Sequence, residues 1–154
     1  MKFRFKGIDE YIARLERITN PYTAEEMIEK AVEDASKIVD QQTLKELQAL
    51  PVDNRQYVDG KRDGILQVQK DALIKSFGTS PIENKNDFIN DKTGVDRSVN
   101  KLKQPQVVIA RRLENGTSYM KKNPVFSRAS RKARKPCLEE MQNSLDKSYK
   151  ALMR

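Results

Sequence analysis

An α+β fold is predicted by three features of this sequence. Apolar side chains recur at helical period over residues 24–49 and again over residues 124–154. Short runs with the pattern of strands stand at residues 2–6 and 106–113. The length of 154 residues, 37% of them hydrophobic, allows one domain over residues 1–154 with a thin core. The expected architecture is a small mixed or antiparallel sheet, packed by a long central helix and a kinked C-terminal helix.

At the start of the chain Phe3 and Phe5 alternate with Lys2, Arg4 and Lys6, the period of a strand with one buried face. Gly7 ends it. A brief helix over 10–18 would turn Ile8, Ile12, Leu15 and Ile18 inward, and Asn20-Pro21 breaks it. Thr23 and Glu26 then have the spacing of a capping box, with Tyr22 and Met27 placed as a hydrophobic staple. The long helix runs to residue 49, ahead of Pro51. Residues 51–64 are polar, contain two glycines and show no period, so they read as loop. Residues 65–77 fit either a strand with a helical turn or a pair of strands. Residues 78–105, rich in Asn, Asp, Lys, Gly and Pro, read as a flexible loop or binding arm.

Val107, Val108 and Ile109 are β-branched and consecutive, which suits a strand covered on both faces over 106–113. An Asn-Gly turn signal follows at Asn115-Gly116. Asn123 and Pro124 open the last helix. Its stripe of Phe126, Ala129, Ala133, Cys137, Met141, Leu145, Tyr149 and Leu152 keeps one phase across Pro136, where a kink or two abutting helices are expected.

The composition argues against most catalysis. With no histidine, the commonest general base and metal ligand is missing. Cys137, the single cysteine, lies in the apolar stripe and reads as a small core residue. No Gly-rich phosphate loop is present, and neither catalytic, cofactor nor metal-ligating residues are assigned. Asp71 with Glu83 and Lys85 has the order of a magnesium-nuclease set, but Glu83 and Lys85 lie in a polar loop with no apolar strand to fix them. No apolar run approaches the roughly 20 residues of a membrane span, and the N-terminus lacks the apolar stretch of a signal peptide. The chain is therefore expected to be made in the cytoplasm and to stay off the membrane.

Charge is the stronger signal. The net charge is +8, unevenly spread. Residues 23–50 hold seven acids against three bases, and residues 124–154 eight bases against three acids. Arg128, Arg131, Lys132, Arg134 and Lys135 form a dense run, in which Arg128, Arg131 and Lys135 share one helical face at i, i+3 and i+7. Such a face can be simply solvated, can meet an acidic subunit surface, or can neutralise DNA phosphates without reading sequence. Aromatic residues are only 6%, little material for stacking bases along a groove.

The segment Ala110–Ala133 reads ARRLENGTSYMKKNPVFSRASRKA. It resembles a signature of the tailed-phage head–tail joining or minor tail-component proteins, at Leu113, Glu114, Gly116 and Thr117, then Pro124, Val125 and Phe126. The order of elements along the rest of the chain is similar to that family, although its Thr-Gly-x-Leu-x-x-Ser stretch is reduced here to Leu73 and Ser76. The motif residues make architectural sense alone: Gly116 for a tight turn, Thr117 and Glu114 for local hydrogen bonds, Pro124 for a helix start. The resemblance implies a virion structural protein, without cofactor, at the neck or tail-completion end of the phage, assembled in the host cytoplasm. Its partners would be copies of itself in a ring, other neck or tail proteins, and DNA in the channel. A basic nucleic-acid-binding module is the second expectation and a magnesium nuclease the third.

Overall fold

Asn20 and Pro21 begin the first long helix rather than only interrupting an earlier one. The computed structural model describes residues 13, 15–17, 19–55, 60–85, 88–96 and 98–153. Helix α1 spans Pro21–Gln48. Asn20 is its N-cap, and Asn20 Oδ1 accepts from the Tyr22 N–H at 3.1 Å. Pro21 stands in the first turn, where a missing N–H loses no helical hydrogen bond. The capping box expected at Thr23 is thereby corrected: Thr23 lies inside the helix, and Tyr22 is exposed instead of stapled. The strand expected at 2–6, together with Ile8, Ile12 and Ile18, lies outside the described residues. Residues 13, 15–17 and 19 are helical, with Leu15 exposed rather than turned inward.

Residues 65–77, ambiguous in the sequence, form helix α2 over Gln67–Ser76. Four short strands follow: β1 Phe77–Thr79, β2 Glu83–Lys85, β3 Phe88–Asn90 and β4 Thr93–Val95. β1 pairs antiparallel with β4 in the register Phe77↔Val95, and β2 with β3 in the register Glu83↔Asn90, one hairpin nested inside the other. The stretch expected to lack structure is thus largely a two-part ribbon. Asp40 of α1 holds it: Asp40 Oδ1 accepts from Thr79 Oγ1 at 2.6 Å and from Thr93 Oγ1 at 3.2 Å.

Helix α3 spans Gln106–Asn115, where the sequence suggested a strand. Gln106, Ile109, Ala110 and Leu113 are buried at i, i+3, i+4 and i+7, the spacing of one helical face, while Val108 is exposed. The burial of that face outweighs the strand preference of Val107–Ile109. Helix α4 spans Val125–Met153 as one element that includes Pro136, not two abutting helices. Pro136 offers no N–H to the Lys132 carbonyl.

The long helices α1 and α4 pack against each other, which differs from the expected sheet covered by both. Asp34 meets Ser144, Ala35 meets Cys137 and Glu46 meets Arg128, so the pair is antiparallel. Ala31, Ala35, Ala129 and Ala133 are buried in the pair and allow close approach. The larger core lies at one end, where Leu47, Leu50, Ile65, Leu73, Ile109, Leu113 and Val125 meet. The molecule is α+β, with the sheets reduced to ribbons at the side of a helical frame. Among the described residues no helix is long and apolar enough to cross a membrane.

Candidate functional site

The motif residues build the corner between α3 and α4. Leu113 is buried in the core. Gly116 caps α3 with φ 73°, and its N–H donates to the Arg112 carbonyl at 2.7 Å. It therefore ends a helix, not a strand; a Cβ there would stand 3.0 Å from the Lys122 nitrogen. Thr117 Oγ1 accepts from the Tyr119 and Met120 N–H groups at 3.2 and 3.0 Å. Glu114 does not bond its own turn as expected. It reaches the start of α4, where Oε1 accepts from the Phe126 N–H at 2.6 Å and Oε2 from Ser127 Oγ at 2.6 Å. Its negative charge also offsets the positive end of the α4 dipole. Pro124 precedes that first turn, and Phe126 packs on the core.

The basic run divides into two groups. Arg128 and Lys132, one turn apart, are tied to the helix pair by Glu46 of α1. Glu46 Oε2 accepts from Arg128 Nε at 2.5 Å and Oε1 from Lys132 Nζ at 2.6 Å. Arg128 also donates to Asn123 Oδ1 at 2.7 Å. The Glu46 side chain is 9% exposed, so its charge depends on these partners. The grouping of Arg128 with Arg131 and Lys135 on one free face is corrected by this pairing. Arg131, Arg134 and Lys135 remain exposed. Lys135 has only Glu139, at 3.8 Å, and Arg131 and Arg134 make no ion pair among the described residues.

Lys132, followed by Arg128, holds the Glu46 carboxyl below its ordinary value of 4.5 against the opposing effect of burial. A depressed carboxylate contributes stability above its unfolded pKa, and that contribution is lost as pH falls through the folded pKa. Arg128 and Lys132 are 41% and 56% exposed, so water screens part of the interaction. Glu46→Gln is expected to lower stability at neutral pH by about 1–2 kcal/mol. The gap between variant and wild type should close below pH 4.5, as thermal melts across pH 3–7 would read out. A gap of constant size down to pH 3 would remove Glu46 from this role.

At the far end of the pair the charge reverses. Glu25, Glu26 and Glu29 of α1 have no ion pair among the described residues. Glu33 and Asp34 share Lys37, at 3.2 and 3.0 Å. Lys37, then the Ser144 hydroxyl, keeps the Asp34 carboxyl below the usual range. Residues 125–138 hold five bases and no acid, whereas residues 21–37 hold five acids against two bases. Glu29 and Glu46 are separated by roughly 25 Å of helix rise. The helix pair thus has one acidic and one basic end.

Asp71 stands on a helix, and Glu83 and Lys85 on a strand of the ribbon. Asp71 on α2 accepts from Gln67 Nε2 at 2.6 Å, Glu83 on β2 pairs with Lys92 at 3.2 Å, and Lys85 ends β2. No group of three metal-ligating side chains forms among the described residues. The Cys137 thiol donates to the Ala35 carbonyl at 3.0 Å across the helix seam, and burial pushes its pKa up. It is a packed group rather than a ready thiolate. Comparison of the chain with family models, curated proteins and solved structures finds no match.

Proposed function

We propose that this chain is a structural subunit of the neck or tail end of a tailed phage, assembling head-to-tail into a ring around the DNA passage and acting without catalysis. The observation that carries this reading is the charge division of the helix pair. Among the described residues, Glu25, Glu26 and Glu29 are unpaired at one end, and Arg131 and Arg134, with Lys135 nearly so, at the other. A closed ring of identical subunits needs unlike surfaces that meet on neighbouring copies. Two oppositely charged ends on one rigid pair supply such surfaces, and they set orientation more than affinity. The similarity of residues 110–133 to the head–tail joining proteins supports placing the ring there. Glu114, Gly116, Thr117 and Pro124 would serve it by fixing the angle at which α4 leaves the core.

The test is genetic and visual. A phage or prophage deleted for this chain is expected to accumulate separate filled heads and tails in electron micrographs. Supplying the protein from a plasmid should restore joined particles. Normal joined virions from the deletion would overturn the proposal.

A further inference from the structure

A pocket at the core end of the molecule is lined by none of the charged residues of α1 and α4. It has a volume of about 620 Å³ and opens between the 60–65 loop, α3 and the corner that follows α3. This is the size range of small-ligand sites. Ile65, Ile109 and Met120 supply an apolar floor. Two arginines, Arg62 and Arg112, line it, and no acid does among the described residues.

The polar groups around it are available to a ligand. Arg62 spends one guanidinium nitrogen on the Arg55 carbonyl at 2.9 Å, and Arg112 has no side-chain partner among the described residues. Thr117 Oγ1 already accepts two backbone N–H groups, so its own proton is left to donate. Ser118 is exposed beside it. Tyr119 is 78% exposed, a large aromatic ring with nothing packed over most of its surface. The frame under these groups is fixed by backbone bonds, since the Arg62 N–H donates to the Tyr119 carbonyl at 2.8 Å and the Lys121 N–H to the Arg62 carbonyl at 2.9 Å.

Guanidinium groups offer paired donors that match phosphate oxygens. Hydroxyl donors add to such a site, and an exposed aromatic ring offers a face on which a base can stack. We propose that this pocket binds a nucleotide unit, its phosphate held by Arg62 and Arg112 with the Thr117 hydroxyl and its base stacked on Tyr119. The unit can belong to a free mononucleotide or to a single strand. The inference does not rest on the ring reading and stands or falls separately from it.

The test titrates the full-length protein with thymidine monophosphate and with an oligothymidylate strand, followed by calorimetry and by the NMR signals of the Tyr119 ring. Saturable binding of the mononucleotide, and its competition with the strand, would assign the site to free nucleotides. Binding of the strand alone would assign it to nucleic acid. In either case Tyr119→Ala should weaken binding about five-fold or more, the loss expected for one stacked base. Arg112→Ala should also reduce the dependence of strand affinity on salt by about one unit of slope. Both side chains are exposed, so these variants are expected to keep the fold. Absence of saturable binding by either ligand overturns the proposal. Strand binding that survives both Tyr119→Ala and Arg112→Ala overturns it equally, because the contact then lies elsewhere on the surface.

Discussion

Gly64→Ala is expected to lower the unfolding midpoint by roughly 6–12 °C, corresponding to about 3 kcal/mol in a domain of this size. At this position the chain from the 60s passes against the end of α1. A Cβ on Gly64 would lie 2.3 Å from the Pro51 carbonyl oxygen and 2.6 Å from its carbon, both backbone atoms. Neither strand of this contact can easily retreat. The Ile65 N–H donates to that same Pro51 oxygen at 3.1 Å, and the Asp53 N–H donates to the Ile65 carbonyl at 2.9 Å. Leu50 and Ile65 are buried on either side and carry the contact into the core. Relief of the overlap must therefore break hydrogen bonds or shift core side chains. Gly78→Ala is the matched control, because a Cβ there meets nothing within 4 Å. Equal melting of the two variants would show that the Pro51–Gly64 approach is not part of the fold.

The second large effect concerns association. Arg131→Glu combined with Lys135→Glu places two acids at the basic end and leaves the Glu46 pairing intact, because Arg128 and Lys132 are untouched. The fold should survive, and association should be lost. A single exposed ion pair is worth only about 0–1 kcal/mol, so the interface must combine several. Reversal of two cations converts attraction into repulsion at each of them and acts at every contact of a ring. Wild-type association should also weaken with salt, since exposed charges are screened beyond roughly 8–10 Å at physiological ionic strength. Where the isolated subunit is monomeric, the same variant is scored by the joining of heads to tails.

Helical period showed through most clearly in the sequence. The expected helix at 24–49 is Pro21–Gln48, and the expected C-terminal helix is Val125–Met153. Each has a stripe long enough to dominate local preferences. Helix α3 is masked in the sequence because Val107, Val108 and Ile109 carry a strand preference, although Gln106, Ile109, Ala110 and Leu113 have helical spacing between Pro105 and Gly116. A ten-residue helix buried along one face can tolerate such residues when packing supplies the stability. The ribbon strands are three residues each, too short to show a period, and they are recognisable only through Asp40, some 40–50 residues away along the chain. The basic run was legible as a run but not in its division. Glu46, which takes Arg128 and Lys132 out of the free surface, stands 82 residues before Arg128. The pocket beside Tyr119 likewise depends on a pairing of Arg62 with Met120 that no local pattern announces.

In the proposed ring the acidic end of one copy meets the basic end of the next. A variant with both ends reversed tests it most directly: Glu25→Lys and Glu29→Lys together with Arg131→Glu and Lys135→Glu. Sedimentation at low salt, paired with the joining of heads to tails, compares it with the two half-reversed variants. Each half-reversed variant is expected to fail to assemble and the fully reversed one to regain assembly, because opposite charges face each other again. Assembly by either half-reversed variant, or a fully reversed variant no better than both, would contradict this arrangement.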